Sequence, residues 1–370
     1  MNIPQISIIF PTYLRPKEIV WNLEYFRKKI SIDYEVFILD NSPEPLIHNF
    51  QANENYIFLN ENIGTASRNI GIKKAKAPYI LLLDDDSHPE TGEVERIIAK
   101  LKKSPENIAG LICEIHNPDG NREASLLPTV FHGAGVAFKT EALRDNNLYY
   151  PDNYCFYGEE YRLTLEIYSK GYSLQTSDVK IIHRRSPHGR DLSKIFYYLA
   201  RNNAAIWQDL TPEHYLKTVL YDSQRRYELT AQKENVTEAL KKGLAEELPS
   251  QTSPRMLDVD FENFSLINKF KQLPNSDTYI LCGTGKFTTL WTKVLEDKCS
   301  QLLIADFNKA FHNKKFGRHT VLSPKEAIKI SGTFLVGHSS ILETLNWQKI
   351  LQTNNLESYD IRQEYELKSV

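Results

Sequence analysis

Short apolar runs alternate with helix-spaced segments through the first half of the chain. Ile6-Ser7-Ile8-Ile9-Phe10 is rich in β-branched residues and is stopped by Pro11, the pattern of a buried strand. A helical pattern over 17–29 follows. Glu35-Val36-Phe37-Ile38-Leu39 then reads as a second strand, ending at Asp40-Asn41-Ser42-Pro43. Tyr56-Ile57-Phe58-Leu59 reads as a third strand, 65–75 as a helix, and Tyr79-Ile80-Leu81-Leu82-Leu83 as a fourth strand ending in acids. Strands alternating with helices over this length predict an α/β fold with a mostly parallel sheet covered on both faces. Residues 192–209 and 212–248 carry helix-spaced apolar positions without a strand signal, and Pro249-Ser250-Gln251-Thr252-Ser253-Pro254 reads as a linker. A second strand–helix–strand block begins at Thr278-Tyr279-Ile280-Leu281. The expected organisation is an α/β domain over 1–210, a helical extension over 211–250, a linker over 251–275 and a smaller α/β domain over 276–370.

Composition narrows the class without naming a function. The 370 residues are 41% apolar and 25% charged, close to the globular average, and are enough for about two domains. A formal charge of −2 creates no global basic field, which argues against nucleic acid as a partner. The apolar runs are far shorter than the ~20 residues of a membrane span, so no integral membrane segment is expected. Met1-Asn2-Ile3-Pro4-Gln5 leads into a strand without a secretory pattern, and Cys113, Cys155, Cys282 and Cys299 follow no CxxC spacing. A reduced, cytoplasmic setting is the expectation.

Candidate chemistry gathers at the strand ends, where open α/β sheets bind ligands. Those ends carry Pro11-Thr12-Tyr13, Asp40-Asn41 and Asp84-Asp85-Asp86. Three consecutive carboxylates repel one another at a cost that a hard cation would relieve; an acidic turn capping a helix is the plainer alternative. Just before them, Asn62-Ile63-Gly64-Thr65-Ala66-Ser67-Arg68 places a small-residue turn and an arginine at a helix start, which suits an anionic ligand. Glu159-Glu160 opens an amphipathic helix over 161–170 closed by Gly171. The pair supplies a candidate general base, or simply favours the helix dipole.

Taken in order, SIIFPTYLR (7–15), FILDNS (37–42), NIGTASRNIGIKKA (62–75), YILLLDDDS (79–87), FHGAGVAFKTEAL (131–143), FYGEEYRL (156–163) and His183 resemble the inverting family-2 glycosyltransferases of the GT-A fold. The resemblance covers roughly 4–205. It implies that Pro11, Thr12, Tyr13 and Arg15 line a nucleotide-sugar pocket, and that Asp40 accepts a hydrogen bond from the base. Gly64 and Arg68 would lie on the donor side, Asp84 and Asp85 by the ribose. Asp86 would hold Mn²⁺ or Mg²⁺ against the diphosphate, offsetting the charge that grows on the leaving group. Glu160 would be the catalytic base, with Glu159 in reserve, and His183 a further metal ligand. Arg184, Arg185 and His188 would clamp the diphosphate or form a solvated basic patch. Gly133 and Gly135 would shape the acceptor side, where His132 also stands. The family's acid and arginine beyond the E-E pair are exchanged here: Arg162 and Glu166 stand i,i+4, the spacing of a helix ion pair with its sign reversed.

The implied activity moves a sugar from a nucleotide-sugar donor to a glycan or lipid-linked acceptor in surface polysaccharide synthesis, with peripheral contact at the inner face of a membrane compatible with it. The alternatives are a sugar nucleotidyltransferase, which would need a glycine-rich loop where Pro11-Thr12-Tyr13-Leu14-Arg15 stands, and a non-catalytic nucleotide-sugar-binding scaffold. Farther on, Gly283-Thr284-Gly285-Lys286-Phe287-Thr288 with Asp306 resembles the start of a Rossmann-like unit, though Thr288 replaces the third glycine. A nucleotide site, or a degenerate module for homo-oligomer contact or positioning of a partner, are the readings of this block.

Overall fold

The computed structural model describes residues 3–46, 48–123, 125, 127, 129–185, 191–246, 260–339 and 341–361. The chain divides into two compact units, one of residues 1–123 with 129–189 and one of 124–128 with 190–370.

The first unit runs β1 (Ile6–Thr12), α1 (Pro16–Lys29), β2 (Tyr34–Asp40), β3 (Glu54–Phe58), α2 (Arg68–Lys74), β4 (Tyr79–Leu83), β5 (Ser87–Pro89) and α3 (Glu93–Lys103). It continues with β6 (Ile108–His116), β7 (Arg122–Glu123), β8 (Gly135–Lys139), α4 (Thr140–Arg144), α5 (Glu159–Ser169) and β9 (Ser173–His183). Among the described residues these strands form one nine-stranded sheet in the order β3-β2-β1-β4-β8-β6-β9-β5, with β7 paired to β6. The first four strands are parallel, as their apolar runs predict. Beyond β4 the sheet is mixed: β8 is antiparallel to β4 and β6, and β5 is antiparallel to β9.

Both faces are covered, which is why these strands are apolar without a break. Ile6, Ile8, Phe10, Val36, Ile38, Leu81 and Leu83 pack into one core, while Ile9, Phe37, Leu39, Ile80 and Leu82 pack into the other. Two registers place the chemistry. Leu83 pairs with Gly135, which brings the turn before β8 beside Asp84. Ser87 pairs with His183, which carries that imidazole to the acidic turn.

The second unit opens with α6 (Leu192–Leu210), α7 (Glu213–Lys233), α8 (Thr237–Ala245), α9 (Phe261–Phe264) and α10 (Ile267–Gln272). Then follow β10 (Ser276–Cys282), α11 (Thr288–Glu296), β11 (Cys299–Ala305), β12 (Lys315–Phe316), β13 (His319–Leu322), α12 (Pro324–Ala327), β14 (Thr333–Val336), α13 (Ile341–Thr353) and β15 (Ser358–Asp360). Its six-stranded sheet has the order β12-β13-β11-β10-β14-β15, parallel except at β12. The helical pattern over 212–248 is two helices, because Asn235 takes a left-handed backbone (φ 58) between α7 and α8. Leu229 of α7 packs with Ile304, Phe311, Phe316 and Val321, so the helices and this sheet share a core. The turn-rich segment 249–254 lies outside the described residues. No described helix is long and apolar enough to cross a membrane.

Candidate functional site

The acidic turn after β4 turns one carboxylate inward and brings the other two together. Asp85 points inward, where it accepts Thr12 Oγ1 at 2.8 Å and Arg15 Nη1 at 2.8 Å. Burial, opposed by Arg15, pushes its pKa up to about 7. Asp86 is also buried and meets Arg15 at 3.2 Å. One carboxylate oxygen each of Asp84 and Asp86 and a ring nitrogen of His183 all lie within 4.8 Å of one another. The resemblance puts Asp84 on the ribose side, whereas here it shares a cluster with Asp86.

His183 is held at both ring nitrogens. Nε2 lies 3.1 Å from Asp86 Oδ1, and Nδ1 lies 2.8 Å from Glu123 Oε2. Burial opposes charge on this ring, yet the two carboxylates outweigh it and raise the pKa to about 10. Glu123 is subject to the same contest. Burial favours its neutral form, but His183 and Arg185 bring its pKa down to about 2. Arg185 pairs with Glu123 through its Nε and has a left-handed backbone (φ 53). Arg184 bonds Glu18 at 2.8 Å and lies 3.8 Å over the Trp21 ring, while its backbone N–H donates to Asp86 O. His188 lies outside the described residues.

Arg68 joins this cluster to the acid pair. It is fully buried and donates to Asp84 Oδ1 at 2.6 Å and to the carbonyls of Leu83 and Gly133. A methyl group on Gly133 would sit 3.2 Å from Glu160 Oε1 and 3.4 Å from Arg68 Nη2. Gly133 is therefore small because the acid pair and the arginine converge there. Glu159 and Glu160 open α5 behind Gly158, whose φ of 91 turns the chain into the helix. Glu159 is buried, and burial together with the Glu160 charge raises its pKa well above the ordinary carboxylate value. Glu160 is the more exposed member.

Other expected residues take quieter places. Asp40 accepts Tyr56 Oη at 2.6 Å and the Ser42 N–H at 2.9 Å. Pro11 lies in β1 opposite Leu39, and Tyr13 is exposed. Gly64 (φ +65) lies so close to Cys155 that a methyl group would sit 2.1 Å from its carbonyl oxygen. Gly135 is inside the sheet against Ile181 and Ile115, so its missing side chain serves strand packing. Arg162 and Glu166 form the reversed ion pair at 2.5 Å, with Arg162 buried. Glu123 is the residue that sequence reasoning misses: it stands in a two-residue strand, and no local pattern marks it.

The glycine loop after β10 is closed by its own unit. Asp306, the acid of the Rossmann-like pattern, accepts the Thr284 N–H at 2.7 Å and Thr284 Oγ1 at 2.6 Å. A methyl on Gly283 would lie 2.6 Å from Ser339 Oγ, and one on Gly285 2.5 Å from the Trp291 ring. At the start of α11, where an anion would be favoured, Asp222 of α7 accepts the Thr289 N–H at 2.7 Å. Lys286 turns inward to Asn203 at 2.9 Å and Tyr227 at 2.5 Å, and burial lowers its pKa to about 7.

Residues 7–157 match the family model of glycosyl transferase family 2. An uncharacterized glycosyltransferase of Haemophilus influenzae is 32% identical over 108 residues, which are 27% of this chain and 35% of that protein. The chain thus spans about a third of the length of this curated relative. Among solved structures it is similar to TarS of S. aureus, at 18% identity over 62% of this chain and 44% of the other, with a TM-score of 0.43. A mannosyltransferase from Pyrobaculum calidifontis, solved with GDP-Man and Mn²⁺, is 15% identical over 68% and 78% of the two chains, with a TM-score of 0.44. Residues 7–157 of the chain are thus similar to glycosyl transferase family 2.

Proposed function

We propose that this protein is a metal-dependent, inverting glycosyltransferase that moves a sugar from a nucleoside-diphosphate donor to a hydroxyl of a glycan or lipid-linked acceptor in the synthesis of a surface polysaccharide. The observation that carries the reading is the convergence at one end of the sheet. The Asp84–Asp86–His183 cluster and the Glu159–Glu160 pair are linked there through Arg68.

The cluster fits a divalent cation. Two carboxylates with an imidazole form a donor set suited to Mn²⁺, and Mg²⁺ accepts the carboxylates. Asp84 and Asp86 supply the negative charge of the cluster, and His183 would offer Nε2 to a cation once that nitrogen has given up its proton. When bound, the metal supplies Lewis-acid compensation for charge developing on the departing diphosphate. The chain's own residues do the rest. Arg15 and Thr12 fix the turn by holding Asp85 inward. Arg68 fixes Asp84 and, through the Gly133 carbonyl, the turn facing Glu160. Glu160 takes the acceptor hydroxyl's proton as that oxygen attacks the anomeric carbon from the face opposite the diphosphate. Glu159 is buried beside this base, and burial together with the Glu160 charge shifts its carboxyl toward the neutral form. Asp40, Tyr13 and Arg185 border the donor side in this reading.

Glu160→Gln tests the assignment of the base. Transfer falls by about 10²–10⁴-fold, while donor affinity measured by calorimetry changes little. Normal turnover with weakened donor binding would place the base elsewhere.

A further inference from the structure

The acidic cluster depends on a residue outside it. Glu123 lies on β7, a two-residue strand paired with β6 through Ile115 opposite Glu123 and His116 opposite Arg122. From there its carboxylate reaches the far end of β9 and takes two partners in succession, His183 Nδ1 at 2.8 Å and Arg185 Nε. Both of its oxygens are used, one for each partner. The carboxylate is largely buried, with a side-chain exposure of 10%, so the contact is built into the fold.

An imidazole can offer a lone pair to a cation from only one nitrogen at a time. A cation at the cluster would take the place of the Nε2 proton, and the Nδ1 hydrogen donated to Glu123 then leaves Nε2 as the nitrogen facing Asp86. Without an acceptor at Nδ1, the neutral ring would divide between two tautomers and rotate more freely. We propose that Glu123 is a positioning residue that fixes the tautomer and orientation of His183 for binding a divalent cation with Asp84 and Asp86. By holding Arg185 on its other oxygen, it also ties down the first residues after β9. The inference rests on the metal-dependent reading above and adds to it a residue that touches neither metal nor substrate.

The test counts free Mn²⁺ by electron paramagnetic resonance as the full chain is titrated, using wild type, Glu123→Ala and Glu123→Gln. Circular dichroism melts check that each variant folds. Glutamine keeps a carbonyl acceptor for Nδ1 but loses the charge. Wild type binds one Mn²⁺ at this site, Glu123→Ala weakens it by about 10–100-fold, and Glu123→Gln recovers most of the loss. Mn²⁺ affinity unchanged in folded Glu123→Ala overturns the inference and leaves the metal site standing. Glutamine as weak as alanine also overturns it, since charge and not orientation would then matter. No Mn²⁺ binding by wild type overturns the metal-dependent reading itself, an outcome distinct from the other two.

Discussion

Gly64 holds the turn before α2 against the segment that leads into the acid pair. Its φ of +65 is a left-handed conformation, and a side chain there would strike the Cys155 carbonyl, which accepts the Thr65 N–H at 3.0 Å. Gly64→Ala therefore costs backbone strain, about 1–3 kcal/mol, and pushes away the Cys155 segment that leads into the acid pair. A lowered melting temperature with lost transfer is the expected result; an alanine variant with both unchanged would remove this account of the turn. Single residues were legible where their type is unusual for their setting. Asp86 and His183 stand out because carboxylates and an imidazole end apolar strands. Glu123 does not, because its significance arises from a fold-back of β7 toward β9 that no periodicity records. Arg68 is legible as an arginine at a helix start, but its burial beneath the turn is a tertiary fact.

At the scale of elements, the parallel strands were read from unbroken apolar runs, and the register that pairs Ser87 with His183 was not. Strand periodicity reports which face is buried and carries no record of which distant strand lies alongside. The same limit applies to α11, whose preceding glycine loop reads as the start of a Rossmann-like unit. A carboxylate from α7 meets its first turn instead. Asp222 gives a pH prediction of definite sign. Burial raises its pKa to about 7 from the ordinary 3.8. Between about pH 4 and 7 the folded chain therefore holds a proton that the unfolded chain has released, and this group's contribution to stability falls as pH rises through that window. Urea unfolding of wild type and Asp222→Asn from pH 4 to 8 checks it: the decline with rising pH is smaller in the variant. Parallel profiles would show that Asp222 is not protonated in the folded chain.

For the whole molecule, two compact units carry different burdens. The first concentrates opposite charges at one end of its sheet, where Asp84, Asp86, Glu123 and Glu160 stand among Arg15, Arg68, Arg185 and His183. The near-zero net charge of −2 conceals this local arrangement. The second unit spends its glycine loop, Asp306 and Lys286 on internal contacts. The central claim is that a divalent cation at the acidic turn supports sugar transfer from a nucleotide donor. It is tested most directly by incubating the full chain with a panel of nucleotide sugars and measuring released nucleotide with Mn²⁺, with Mg²⁺ and with excess chelator. The account predicts release from at least one donor with a divalent cation and its loss under chelator, restored by adding the cation back. Release that persists undiminished in chelator would contradict it.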